Sequence, residues 1–285
     1  MKLLVIGLSL LLNTSAALGN PQKLPADTSK PFIIGSTETI HSKILGEDRI
    51  LNVYLPDGYN QPDSARYPVI FLLDGSADED FIHIVGLAQF CSFQWVNQLP
   101  KSIVVGIANV DRRRDFTFPS SIQSDKSANP TSGHSKEFIR FLESELLPHI
   151  ENKYRITSSR TLIGESLGGL LATEILLRNS GLFNKYIIVS PSLWWDNGSI
   201  LSLKSEIYTA SFNRQTDIYI GVGKEGITPA PTPRVMEVDA NLLADKLAAG
   251  KNKFLTVKFD YLPEENHGTI MHQAVLNAFR MLGKK

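Results

Sequence analysis

The chain of 285 residues carries 29 acidic and 29 basic side chains, a balance that argues against a nucleic-acid or membrane-surface partner. Its single cysteine, Cys91, rules out an intrachain disulfide, and the apolar, aromatic stretch 90–95 around it predicts a buried structural thiol. With 42% hydrophobic residues, the length is large for one all-helical unit and ordinary for a single α/β domain stabilised by its core.

At the N-terminus, Lys2, the apolar run 3–12 and the small and polar residues up to Gly19 have the three-part layout of a secretory signal peptide, residues 1–19. The run is too short to span a bilayer, and no cysteine follows it to carry a lipid. The expectation is a secreted or periplasmic protein with no membrane anchor in the mature chain. Residues 20–30, rich in proline and polar side chains, read as an extended leader, and 31–285 as one domain.

Apolar, β-branched runs predict strands at 49–55, 67–73, 103–108, 161–163, 186–189, 218–222 and 254–259. Helical patterns cover 135–154, 167–178 and 235–249, the last closed by Gly250 as a C-cap, and a final helix follows His267. Continuous apolar strands alternating with helices indicate a mostly parallel sheet covered on both faces. Two stretches read as functional loops, 111–131 and 191–199, because such sheets bind ligands outside the carboxyl ends of their strands.

The most informative segment is Gly164-Glu165-Ser166-Leu167-Gly168, a Gly-x-Ser-x-Gly entered by an apolar run and left by a helical pattern. This is the strand, sharp turn and helix of a nucleophile elbow, which would expose Ser166 at the strand's end. A serine hydroxyl is a weak nucleophile at neutral pH and needs a histidine base, usually oriented by a carboxylate. Of six histidines, His267 stands out because it lies just past the last strand in a polar turn. His272 falls inside the final helix, and His134 at the start of a long helix reads as a capping or loop residue. The acid is expected after the strand ending near Val222, which selects Glu225; Asp196, Glu237 and Asp239 are its rivals, and a Ser-His pair alone is also an option. Oxyanion donors are expected from the backbone N–H of Leu167, directly after the serine, and of Ser76, with Gly75 permitting the turn and Asp74 as a structural turn residue. The sequence has no His-Glu-x-x-His, paired cysteines, Walker loop or dinucleotide fingerprint, so no metal and no cofactor is implied.

At these residues the chain resembles the "Putative esterase" family of α/β-hydrolases, which includes siderophore esterases, S-formylglutathione hydrolases, feruloyl esterases and mycolyltransferases. The resemblance runs from about residue 50 onward and rests on Leu72-Leu73-Asp74-Gly75, on Asn109-Val110-Asp111-Arg112-Arg113-Arg114-Asp115-Phe116, on the elbow, on Ser190-Pro191-Ser192-Leu193-Trp194-Trp195 and on His267-Gly268. The second and fourth of these are most similar to the trilactone siderophore esterases. The resemblance implies Ser166 and His267 as catalytic, an acid near Glu225, and hydrolysis of a small-molecule carboxylester. The third consecutive arginine and the Phe118-Pro119 pair depart from the family pattern in the pocket loop. A ferric tris-catecholate has negative charge and aromatic faces, so Arg112, Arg113, Trp194 and Trp195 are candidate substrate-binding residues; the alternative for Arg113 and Arg112 is to hold the loop to neighbouring carboxylates. Two alternatives stay open: acyl or acetyl hydrolysis on carbohydrates or small alcohols, and a catalytically inactive ligand-binding protein on the same fold.

Overall fold

The β-branched runs form the strands they predict, and they assemble into one sheet in a computed structural model that describes residues 29–283 except 63, 229 and 231. The expected signal peptide and nearly all of the leader lie outside the described residues. Every element belongs to the compact unit Ile34–Lys285.

The strands are β1 (Ser36–Ser42), β2 (Glu47–Tyr54), β3 (Tyr67–Leu72), β4 (Ile103–Ile107), β5 (Ile156–Glu165), β6 (Lys185–Val189), β7 (Thr216–Gly223) and β8 (Leu255–Leu262). They lie in the order β1-β2-β4-β3-β5-β6-β7-β8. β1 pairs antiparallel with β2, and β2 with β4; every other pairing is parallel. The helices are α1 (Phe81–Ser92), α2 (Arg112–Phe116), α3 (Gln123–Ala128), α4 (Ser135–Phe141), α5 (Leu147–Lys153), α6 (Leu167–Arg178), α7 (Trp195–Gly198), α8 (Met236–Ala249) and α9 (Ile270–Leu282).

The sheet divides the core in two. Alternate side chains of β3 and β5 point to opposite faces: Val69, Phe71 and Leu162 pack beneath α4, α6 and α8, while Ile70, Leu72 and Ile163 pack beneath α1 and α9. Every residue of β4 and β7 is buried, as expected where helices cover both faces. Fully burying one such aliphatic side chain contributes roughly 1.5–3 kcal/mol, so the central strands anchor the loops that leave their carboxyl ends.

Three elements differ from expectation. The predicted helix 135–154 is interrupted by a π-helical turn, Leu142–Leu146, directly before Pro148. Proline has no N–H and crowds the carbonyl four residues back, and the wider turn absorbs that mismatch. Gly250 is the C-cap of α8 as expected, although with an ordinary φ of −68°; the left-handed conformation falls on Lys251, at φ 44°. β1 and α1 arise where no periodic signal predicts them.

Candidate active site

Ser166 occupies the sharp turn between β5 and α6 with φ 57° and ψ −116°, a conformation disfavoured for a residue with a side chain. The turn closes only because Gly164 lacks a Cβ, which would stand 2.4 Å from the carbonyl oxygen of Gly168. The Ser166 N–H donates to Val189 O (3.0 Å), and Ser166 O accepts from Leu170 N (2.9 Å) and Ser192 N (2.9 Å). The strained residue is therefore held from β6 and α6 together.

His267 follows β8 in a loop fixed by Asn266, whose Oδ1 accepts from Gly268 N at 2.9 Å and whose carbonyl oxygen accepts from Thr269 N and Ile270 N. Its Nε2 lies 3.0 Å from Ser166 Oγ and its Nδ1 2.8 Å from Glu225 Oε2. The tautomer with the proton on Nδ1 donates to the carboxylate and leaves the Nε2 lone pair facing the hydroxyl, the geometry that activates a serine. The Glu225 side chain is 2% exposed while the imidazole is 47% exposed, so the acid is sequestered and the base open to an incoming substrate.

Glu225 is held on three sides. Ser190 Oγ donates to its other carboxylate oxygen. Glu237 Oε1, from α8, accepts from Glu225 N at 2.8 Å and Gly226 N at 3.0 Å. Lys224 N donates to Glu265 O at 2.8 Å, tying the acid loop to the histidine loop. Burial by itself raises the Glu225 carboxyl, but the bonds from His267 and Ser190 outweigh it and hold the group below its usual range. In turn the bond to Glu225 raises His267 against the opposing effect of burial.

The exit of β3 lies beside the elbow. A Cβ on Gly75 would stand 2.3 Å from the Cα of Gly106, so only glycine allows the loop to pass this close to β4. Gly75 N donates to Ile107 O (3.0 Å), and buried Asn52 donates to Gly75 O (2.9 Å). Asp74, at φ 53°, accepts from Asn109 Nδ2 (2.6 Å) and from Arg112 through Nε (2.6 Å) and Nη2 (2.9 Å). Arg112 Nη2 also donates to Glu165 O (3.2 Å), so one guanidinium ties the β3 exit to the elbow.

The structure brings Ser166, His267 and Glu225 together, with Leu167 directly after the serine at the start of α6 and Ser76 next to Gly75 on the exit of β3. Trp194 stays partly exposed beyond Ser192, whose Oγ lies 3.2 Å from Ser166 Oγ, and Arg113 is exposed on α2. Trp195 requires correction as a substrate-binding residue: it is 1% exposed, and its Nε1 donates to Phe118 O at 2.8 Å, pinning one loop to the other. Asp196 is tied to Ser121 N (2.6 Å) and Ser121 Oγ (2.7 Å), and Asp239 is paired with Arg234. Sequence reasoning missed Ser190 and Asn52 as supports. The Ser-Pro-Ser motif carried a signal for Ser190, whereas nothing in β2 singles out Asn52.

A serine on a strand-to-helix elbow, followed in sequence by a carboxylate and a histidine that meet it at the carboxyl ends of this sheet, defines a serine hydrolase of the α/β-hydrolase fold. The chain belongs to the family described as "Putative esterase", whose model matches residues 42–251, and the protein is an esterase. It is similar to the Ferri-bacillibactin esterase BesA of Bacillus subtilis, 28% identical over 266 residues that cover 89% of this chain and 91% of that one. An IroE-like serine hydrolase from Shewanella oneidensis superposes with a TM-score of 0.77 at 32% identity, covering 87% of this chain and 80% of its own. The BES protein from Bacillus cereus gives a TM-score of 0.77 at 27% identity, covering 92% of this chain and 100% of its own. No helix among the described residues is long and apolar enough to cross a membrane.

Proposed function

We propose that residues 31–285 form a serine esterase domain that cleaves the ester bonds of catecholate trilactone siderophores through an acyl-enzyme. Ser166 Oγ attacks the ester carbonyl while His267 Nε2 takes its proton, and Glu225 holds the imidazole and balances the imidazolium charge. The developing oxyanion accepts from the N–H groups of Leu167 and Ser76; loss of one such donor costs about 10² to 10³ in rate. Gly75 N is already engaged with Ile107 O, which leaves Ser76 as the next free donor on that loop. As the tetrahedral intermediate collapses, His267 returns the proton to the departing alkoxide. Water, deprotonated by the same imidazole, then attacks the acyl carbon and releases Ser166.

The observation that carries this reading is the continuous relay from Glu225 through His267 to Ser166, at 2.8 Å and 3.0 Å. The named activity of the Bacillus subtilis relative supports the substrate class, and the half-exposed imidazole suits a bulky macrocycle. Trp194 and Arg113 are the substrate contacts of this reading, with Arg112 acting chiefly through Asp74. The exported location expected from residues 1–19 belongs to the same proposal.

The test is hydrolysis of a catecholate trilactone by the mature protein, beside p-nitrophenyl butyrate and with Ser166→Ala as control. The expected result is trilactone cleavage that falls by at least about 10³-fold in Ser166→Ala. Ser166-dependent cleavage of the simple ester alone would discard the siderophore assignment, and full activity in Ser166→Ala would discard the mechanism.

A further inference from the structure

Two histidines that the relay does not use meet from opposite ends of the chain. His83 lies in the first turn of α1 and His272 in the first turn of α9, 189 residues apart, so no spacing in the sequence joins them. Their Nδ1 atoms are 3.3 Å apart. The ring centroids stand 5.5 Å apart, with the planes inclined by 29°. Because the centroids are farther apart than the nitrogens by about a ring's width, the imidazoles meet edge to edge, nitrogen toward nitrogen. The His83 side chain is 34% exposed and His272 is exposed, so the pair is open to solutes.

The position of the His83 proton follows from its other nitrogen. Nε2 lies 3.0 Å from Asp80 Oδ1. An ionised carboxylate only accepts, so the neutral imidazole carries its proton on Nε2 and presents the Nδ1 lone pair to His272. A carboxylate behind the far nitrogen is the arrangement that orients a metal-bound imidazole and raises its basicity. Without a cation, His272 donates from Nδ1 to that lone pair. When the His272 proton sits on Nε2 instead, two lone pairs face each other. Two imidazole nitrogens bound to tetrahedral zinc at about 2.0–2.1 Å stand about 3.3–3.4 Å apart, the separation that the histidines already have. A small turn of the exposed His272 ring aims both lone pairs at one point, and the torsion that turns the ring has a broad well. No cluster of three or more His, Cys, Asp or Glu side chains among the described residues stands ready to hold a metal ion, so water completes the coordination sphere.

We propose that His83 and His272 form a two-histidine site for a zinc-like divalent cation, which ties α1 to α9 outside the catalytic relay. The start of α1 is bonded to the loop that leaves β3: Asp80 N donates to Asp74 O (3.2 Å), and Glu79 N (3.1 Å) and Phe81 N (3.4 Å) donate to Ser76 O. The start of α9 is bonded to the His267 loop through Asn266 O. A bound cation therefore joins the loop that carries Ser76 to the loop that carries His267. Binding only the folded chain, it also stabilises the fold by mass action.

The test is calorimetric titration of the untagged protein with zinc chloride at about pH 7.5, where an ordinary imidazole is neutral, with magnesium chloride as control. The expected result is one saturable zinc site, weakened at least about tenfold in His83→Ala and in His272→Ala, and about 10- to 100-fold in Asp80→Ala. Zinc should also raise the urea midpoint of the wild type and leave that of either histidine variant unmoved, while magnesium, which seeks oxygen ligands, moves neither. The metal-free urea midpoints show that each variant is folded. A wild-type titration with no saturable zinc site would overturn the proposal without any variant. Zinc held equally well by both histidine variants, or lost only in His267→Ala, would overturn it by placing the ion elsewhere, and an equal response to magnesium would reduce it to general charge attraction.

Discussion

At the residue scale, the unusual feature of Glu225 is that its burial works against its own charge while two hydrogen bonds restore it. The carboxylate is thereby available as an anion at the pH where the imidazole must act, and it raises His267 above the ordinary imidazole value of about 6.5. Neutral His267 is the base, so activity is expected to fall as pH drops through a value above that ordinary one. Glu225→Gln removes the anion and so lowers the His267 pKa, and the acid limb of kcat/KM moves to lower pH. The variant also offers a single acceptor oxygen to two donors, Ser190 Oγ and His267 Nδ1, so the productive tautomer is no longer fixed, for a fall in kcat of at least about 10²-fold. A pH-rate profile of wild type and variant checks both effects. An unmoved limb would mean that Glu225 does not act on the imidazole.

At the scale of elements, α2 is too short to be stable alone, and its position derives from a buried ionic cluster. Arg49 of β2 is fully buried, donates from Nη1 to Glu47 Oε1 and Asp115 Oδ2, each at 2.7 Å, and lies over the rings of Phe138 and Phe141. Arg114 closes the cluster on Asp115 (2.8 Å) and Glu47. Removing one member leaves a buried carboxylate with half its partners, so Arg49→Ala is expected to destabilise the protein by about 3–5 kcal/mol. Urea denaturation measures this directly, and a loss below about 1 kcal/mol would show that Arg114 alone satisfies Asp115. The identity of these partners was not legible in the sequence, where the arginine triplet reads equally as a ligand cluster or as a tie between the loop and neighbouring carboxylates. Composition shows which charges lie near one another along the chain but not which carboxylates face them across the sheet. The elbow was legible because its glycines and serine are adjacent in sequence and each has a steric reason for its place. β1 was not, since Ser-Thr-Glu-Thr-Ile-His-Ser is a polar edge strand with almost no apolar alternation. α1 failed for the opposite reason: Phe-Ile-His-Ile-Val-Gly-Leu-Ala is apolar nearly all round, and burial against both sheet and α9 removes the periodicity that marks a helix.

At the scale of the whole molecule, the two cores on either side of the sheet share the central strands, so neither face can be lost without exposing the other. Cys91 is a natural reporter of that coupling. It is fully buried at the end of α1, within the core shared with α9, and burial raises its thiol above the usual cysteine range. Only the thiolate reacts with a disulfide reagent, so both concealment and a raised pKa slow labelling in the native state. The expected rate for the native protein is at least about 10³-fold below that of the chain unfolded in urea, and its denaturant dependence should match the slope of global unfolding. Such a match would mean that α1 leaves the sheet only when the sheet itself comes apart. A fast, denaturant-independent reaction would mean instead that α1 opens locally. Because Asp74 and Ser76 lie on the segment between β3 and α1, that opening would release the proposed oxyanion loop while the relay of Ser166, His267 and Glu225 stayed intact.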